Sequence, residues 1–497
     1  MRTIAIILLL QALAAAAPPT TKPAGIAVIL SGSTAPCTIH VHALNIPLST
    51  GTPLTARYEW DFADPNSSRN TLEGFNAAHT YDREGKYTIT LHLAEESGQS
   101  RTFSLSIHVL PDTRRSIYIS CAGDDSNRGQ SPDHAIRSPS RLRRLLSNET
   151  KILFRRGDTF SVSEPIMLSH SGVQLTAYGQ GASPLLNWTG PCNSGATMIP
   201  CAQTSHDNVI ENLTFDTASP ANDHVVSIIG AAGTNLSIRN CTFLNVAYAI
   251  NANSKPHGLL VQNCSSPLDA GLREYFLWLE GSDAVVLDNT VANSVYQHVI
   301  RASSYTRVLI AYNHLANLDR RNVEPLDFSK ASITMQKGLY LYLASNSVAK
   351  GGIGVGPLGN DDGLSDAAAR TQWAVVENNT VDEASIELHH GLEHAIVRNN
   401  KVTRTDAPAF NIDGYDDRYK RQVLDASILN NTATNSAPTG FFLRLWGKAE
   451  NLTLVGNRYD APKLLLDNHD NAAALWTQPG AASSFRVIRD NTFPSKN

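Results

Sequence analysis

One pattern of apolar and polar positions recurs along roughly the last three hundred residues of the chain. Val375–Val376–Glu377–Asn378–Asn379–Thr380–Val381 reads apolar, apolar, polar, Asn, Asn, Thr, apolar. The same phrase returns as Ile238–Arg239–Asn240–Cys241–Thr242–Phe243, Leu287–Asp288–Asn289–Thr290–Val291 and Ile396–Val397–Arg398–Asn399–Asn400–Lys401–Val402. Its second ladder position falls at Leu213, Cys241, Cys264, Asn289, Asn313, Asn346, Asn379, Asn400, Asn431, Asn457 and Asn491, at intervals of 21–34 residues. A repeat of that length, carried by short alternating strands, predicts a solenoid of stacked coils, here a parallel β-helix. Asn side chains stacked in successive turns bond one another and the turn backbone, so the ladder is expected to be scaffold.

After each ladder turn a second short strand alternates with period two, which sends its first and third residues inward and its second and fourth outward. Aligned on their apolar residues, these strands are Leu277–Trp278–Leu279–Glu280, His298–Val299–Ile300–Arg301, Ile333–Thr334–Met335–Gln336, Ile386–Glu387–Leu388–His389, Phe410–Asn411–Ile412–Asp413 and Leu443–Arg444–Leu445–Trp446. One outward column is then Trp278, Val299, Thr334, Glu387, Asn411 and Arg444. The other is Glu280, Arg301, Gln336, His389, Asp413 and Trp446, with Lys337 and His390 at its edge.

Composition narrows the class. Charged residues are 17% and the net charge is −4, so no basic stripe points to nucleic acid. Met1–Arg2–Thr3 followed by an apolar run to Ala17 reads as a secretory signal peptide over 1–17, too short to span a bilayer. A secreted location, extracellular or periplasmic, is therefore expected, with no membrane span and a monomeric state. Six cysteines in such a chain permit disulfides. Cys192 and Cys201 bracket a short loop and are the first pairing to expect. Cys241 and Cys264 share a ladder position, either bridged or as small fillers continuing the Asn stack.

Residues 25–110 form a separate first domain of alternating strands. Its phrases Tyr58–Glu59–Trp60–Asp61–Phe62–Ala63–Asp64 and His79–Thr80–Tyr81–Asp82–Arg83–Glu84–Gly85–Lys86–Tyr87 resemble the PKD domain, which implies an immunoglobulin-like β-sandwich serving protein or glycan contact. Where that family has W-D-F-G-D-G this chain has W-D-F-A-D-P, an altered turn. Trp60 and Tyr81 are expected in its core, and Asp61 and Asp64 in turn bonds. From 115 to 497, the strand and polar loop Ser116–Pro132, with Arg155–Arg156–Gly157–Asp158–Thr159–Phe160 and Ala177–Tyr178–Gly179, resemble the start of secreted right-handed β-helix proteins of the pectate-lyase-like superfamily. A short amphipathic helix with Leu142, Leu145 and Leu146 on one side is expected to plug the open end. The fold class is all-β: a right-handed parallel β-helix preceded by a PKD sandwich.

The polar columns suit a polysaccharide lying across the strands. Trp278 and Trp446 can stack on sugar faces, Arg301, Lys337 and Arg444 can bind uronate carboxylates or sulfates, and Gln336, His390 and Asn411 add hydrogen-bonding groups. Two mechanisms fit. A lyase needs a base (His389 or Lys337) and a cation for the enolate-like intermediate (Arg301), with a metal on Glu280 or Asp413 as an optional addition. A hydrolase needs two carboxylates, such as Glu387 and Asp413. Calcium is a candidate cofactor, with Asp416 and Asp417 beside the column and Asp361, Asp362 and Asp366 in a Gly-rich insertion as oxygen ligands. Asn411–Ile412–Asp413–Gly414 is similar to the N-T-D-G element of polygalacturonases, but the D-D, G-H-G and R-I-K elements are missing. Glu280 and Arg301 are similar to part of the chondroitinase B and alginate lyase arrangement, without its Lys. The function expected is cleavage of an extended, uronate-containing polysaccharide by elimination or hydrolysis. The rival is a non-catalytic glycan-binding or adhesion surface, and the sequence leaves enzyme status open between them.

Overall fold

The computed structural model describes residues 25–30, 32–192, 195–217, 227–267, 272, 274–292, 294, 297–317, 331–357, 369–404, 408–416, 421–435, 441–460, 475–477 and 481–493. The proposed signal peptide and the acidic insertion around Asp361 lie outside them.

The first domain is a sandwich of two antiparallel sheets. One joins Ala27–Ile29, Cys37–His42 and Asn76–Tyr81; the other joins Thr71–Glu73, Arg57–Asp61, Gly85–Ala94 and Ser100–Val109. Trp60 and Tyr81 are buried between them, each with its polar tip bonded: Trp60 Nε1 donates to the Gly74 carbonyl at 2.8 Å and Tyr81 OH to that of Phe62 at 3.0 Å. The altered turn holds because Asp61 accepts the Ala63 amide at 2.8 Å while Ala63 sits at φ +55°.

The rest is a right-handed parallel β-helix with three strand faces per coil. In one coil these are Thr234–Arg239 on the first face, Thr242–Leu244 on the second and Tyr248–Ala252 on the third. Among the described residues the second face is a sheet of 12 strands from Thr159–Val162 to Arg458–Asp460. The Asn pair at the corner between first and second faces divides two tasks. Its first residue takes the left-handed conformation, as at Asn378 and Asn399 (both φ +56°), which Asn tolerates better than most residues. Its second turns inward: Asn313 Nδ2 donates to Asn346 Oδ1 at 2.9 Å and to the Val286 carbonyl at 3.0 Å, and its amide donates to the same Oδ1 at 3.1 Å. Such bonding runs from Asn289 to Asn491.

The six cysteines are free, so the expected Cys192–Cys201 bridge is absent. Cys201 is packed into the core, while the Cys192 thiol turns back toward the Gly190 carbonyl. Cys241 and Cys264 act as ladder fillers; Cys264 Sγ points at the Ile238 carbonyl, as Asn289 Nδ2 does at that of Val261. The capping helix is a 3₁₀ segment, Pro139–Arg144, whose Leu142 joins the solenoid core. Among the described residues no helix is long and apolar enough to cross a membrane.

The sandwich lies against the flank of the solenoid. The outward first-face column, in register, runs Ser237, Leu260, Val285, Leu309, Tyr342, Val375, Ile396, Ser427. Leu260 to Ile396 are buried in one cluster with Phe75, Ala77 and Ile39 of the sandwich. Arg69 binds Asp288 at 2.9 Å and stacks 3.7 Å over Tyr312; Arg239 binds Asp82 at 2.8 Å. His40, also in this seam, is buried with neither ring nitrogen hydrogen-bonded among the described residues. Burial pushes its pKa down to about 4, against the pull of the Asp283 carboxylate; His257 and Arg307, on Asp283, are the other charges there, with His42 alongside.

Asn379→Ala strips the bonds to Asn346, Asn400 and the Leu343 carbonyl, and should lower unfolding free energy by about 3 kcal/mol in denaturant titration. Asn378→Ala, losing mainly left-handed tolerance, should cost only about 1 kcal/mol. Because His40 has a lowered pKa, its contribution is intact above the ordinary value of 6.5 and falls away as pH drops toward about 4, by about 3 kcal/mol. His40→Phe should flatten that acid limb of the stability profile; an unchanged limb would assign the acid sensitivity to other groups.

Candidate functional site

Strand pairing fixes the third-face columns. In register, the first reads Asn251, Trp278, Arg301, Thr334, Gly354, Glu387, Asn411, Arg444, Trp476. This corrects the sequence alignment in three places. Ile300, not His298 and Val299, opens the third-face strand, so Arg301 stacks with Trp278 and Thr334 rather than with Glu280 and Gln336. Val299 and Ile300 are adjacent, apolar and both fully buried, so alternation alone could not choose the frame. The third-face strand of one coil was also missed: Ile353–Gly354–Val355, inside the Gly-rich insertion, pairs with both Ile333–Met335 and Ile386–Leu388. Glu280 sits at a register break opposite Ser304, at the corner toward the first face.

The structure brings together His389, Asp413 and Glu387. His389 Nδ1 bonds Asp413 Oδ2 at 2.9 Å, and Nε2 lies 3.7 Å from Glu387 Oε2. The imidazole is buried, while both carboxylates are partly exposed (side chains 36% and 40%), so the acids face solvent over a fixed base. Gly354 makes the space: a Cβ there would stand 3.0 Å from His389 Nε2. Burial works against a charged His389, but the bond and charge of Asp413, with Glu387, outweigh it and raise the pKa. Burial likewise opposes ionised Asp413, but His389 foremost, with His390 and Arg444, lowers its pKa. Asn411 borders the acids and accepts from Arg444 Nε at 2.9 Å; Arg444 lies 5.5 Å over Trp446. Trp446 is exposed and 4.6 Å from Trp476, ring to ring. Trp476 was not singled out in the sequence, although Leu475–Trp476–Thr477 alternates as its neighbours do.

Other candidates lie apart. Arg301 is buried, bonded through Nη1 to Tyr275 OH at 3.0 Å and through Nη2 to Gln336 Oε1 at 3.3 Å, and sits 5.6 Å over Trp278. It is three strand spacings from Glu387, about 14 Å. Glu280 lies 3.9 Å from Lys255, and Lys337 is exposed in the turn between third and first faces. Asp416 ends a two-residue strand paired with Arg421–Gln422, and Asp417 lies outside the described residues. Among the described residues no group of three or more His, Cys, Asp or Glu is placed to hold a metal ion.

Asp413→Asn should lower the His389 pKa, because burial then acts against a weakened partner. The raised pKa means His389 stabilises its charged pair fully below 6.5 and loses that contribution as pH rises through the raised value. Asp413 contributes above 3.8 and loses its share as pH falls through the lowered value. Histidine-selective NMR titration reads this; an unmoved midpoint in the variant would mean that Asp413 does not hold the proton.

Comparison with known proteins identifies the first domain. Residues 23–109 match the family model of the PKD domain. No curated protein matches the chain. Among solved structures, a lacto-N-biosidase from Eubacterium ramulus is 14% identical, covering 76% of this chain and 67% of that one, with a TM-score of 0.35. An endo-xylogalacturonan hydrolase from Aspergillus tubingensis is 13% identical over 77% of this chain and all (100%) of its own, with a TM-score of 0.38. A tailspike of E. coli bacteriophage HK620 is 13% identical over 73% and 64%, with a TM-score of 0.41. Similarity this low carries no argument about chemistry. The chain thus joins a PKD domain to a right-handed parallel β-helix.

Proposed function

We propose that the protein hydrolyses a glycosidic bond, with Glu387 and Asp413 as the working carboxylates. The observation that carries this is the single imidazole shared between them, 2.9 Å from one and 3.7 Å from the other. Carboxylates on opposite nitrogens of one ring are on the order of 8 Å apart, a separation that leaves room for a water beside the sugar. Asp413, held ionised, takes a proton from that water as its oxygen attacks the anomeric carbon. Glu387 donates a proton to the departing glycosidic oxygen as the C–O bond breaks. Turnover leaves Asp413 protonated and Glu387 ionised. Both acids are reset through solvent, to which each is partly exposed: Asp413 releases its proton to water and Glu387 takes one up, while charged His389 keeps Asp413 ionised. Elimination has less support, since the Arg301 proposed to stabilise an enolate is about 14 Å from this cluster. A glycan partner and a secreted location belong to the same proposal.

The test is incubation of the full chain with polyuronates and neutral polysaccharides, following reducing ends and unsaturated products separately. Reducing ends alone are expected, with Glu387→Gln and Asp413→Asn each lowering kcat/KM by about 10²–10⁴. Unsaturated ends would establish elimination, and binding without cleavage would establish the non-catalytic reading.

A further inference from the structure

The same column carries a second regularity, independent of the acids. Trp278 and Trp476 bracket the stretch of the column around Glu387, four strand spacings before it and three after it. Each end is an aromatic cluster. At one, Trp278 lies 5.4 Å from Tyr275 and 6.1 Å from Tyr248; at the other, Trp446 lies 4.6 Å from Trp476. Each cluster also carries a guanidinium over a tryptophan face, Arg301 at 5.6 Å and Arg444 at 5.5 Å. Between them the column holds only small or polar side chains: Thr334, Gly354, Glu387 and Asn411. The span from Trp278 to Trp476 is roughly 34 Å, seven strand spacings of about 4.8 Å.

The ends differ in what surrounds the cation. Arg301 is buried and braced by Tyr275 and Gln336. Arg444 is half-buried, bonds Asn411 through Nε alone, and makes no ion pair among the described residues. Its guanidinium therefore keeps both terminal nitrogens for an anion while lying beside an exposed indole. A sugar ring stacked on Trp446 and carrying a carboxylate or sulfate would meet that fork in the geometry guanidinium favours.

We infer that the third face binds an acidic glycan of at least about six sugar units, one per strand spacing, running parallel to the solenoid axis. Its charged unit sits at Arg444–Trp446–Trp476, and scission falls internally at Glu387. This rests on the glycosidase reading for the position of scission, but not for binding. Trp278 serves as the far platform, so the chain is held on both sides of the bond that breaks, which is endo-action.

The experiment uses the full chain with oligogalacturonates and chondroitin sulfate oligosaccharides graded from two to ten units, and xylan and mannan oligosaccharides as neutral controls. Binding is read by tryptophan fluorescence and calorimetry, cleavage by product sizing. Acidic chains of about six units and longer should bind at least tenfold more tightly than trimers, and cleavage should release internal fragments. Arg444→Gln should weaken acidic hexamers tenfold or more and leave neutral ones unchanged; Trp446→Ala should weaken both. Thermal melting checks that each variant folds, and Arg444→Lys should restore part of the loss. Cleavage with a neutral preference, or affinity independent of length, overturns the inference and leaves the hydrolase reading intact. Length-dependent acidic binding without cleavage does the reverse. No binding to any of these glycans overturns both.

Discussion

Everything on the working face depends on the hydrogen-bonded column of asparagines inside the solenoid. Each ladder Asn bonds the amide and side chain of the coil before it, so successive coils are locked in register to within a hydrogen bond's tolerance. A slip of one residue would reverse which side chains face out. The His389–Asp413 contact joins residues of two different coils, with Glu387 in the same coil as His389. The distance of 2.9 Å between His389 and Asp413 therefore draws on Asn379, Asn400 and Asn431, which together with the third-face strand pairing hold those coils at one spacing. The ladder touches no candidate catalytic group and still sets the geometry of the site.

Much of this was legible. The Asn phrase gave coil number and ladder position directly, and the PKD phrases marked the first domain. In the C-terminal coils the columns are also right: Glu387 with Asn411 and Arg444, and Asp413 with Trp446. Those strands have a single apolar frame. The register failed where two apolar residues abut, at Val299–Ile300, and where glycines replaced apolar markers, at Gly352–Ile353–Gly354–Val355–Gly356. Both failures arise because period-two reading needs contrast between faces, and buried or glycine-rich coils have little. The 3₁₀ cap and the unbridged Cys192 and Cys201 depended on local backbone geometry that composition does not encode.

The docked position of the sandwich was not foreseen, yet its signal is present. First-face strands show polar outward residues at Ser237 and Ser427 and apolar ones from Leu260 to Ile396. A run of outward apolar residues over consecutive coils is the footprint of something that covers them. Reading each strand alone hides it, because a continuous apolar strand looks like deep core; only the column exposes it.

That footprint has a mechanical consequence. A stack of repeats held only by neighbour contacts can open one coil at a time, since each coil's stability is nearly its own. Here one rigid sandwich is fastened to Leu260, Val285, Leu309, Tyr342, Val375 and Ile396 at once. The coil of Val375 continues into Glu387 and His389, and that of Ile396 into Asn411 and Asp413. To spread those strands apart, the chain must first release a domain anchored across six coils. The PKD sandwich is thus a splint on the first face, and it stiffens the part of the solenoid where a shift of one ångström would separate the imidazole from its acids.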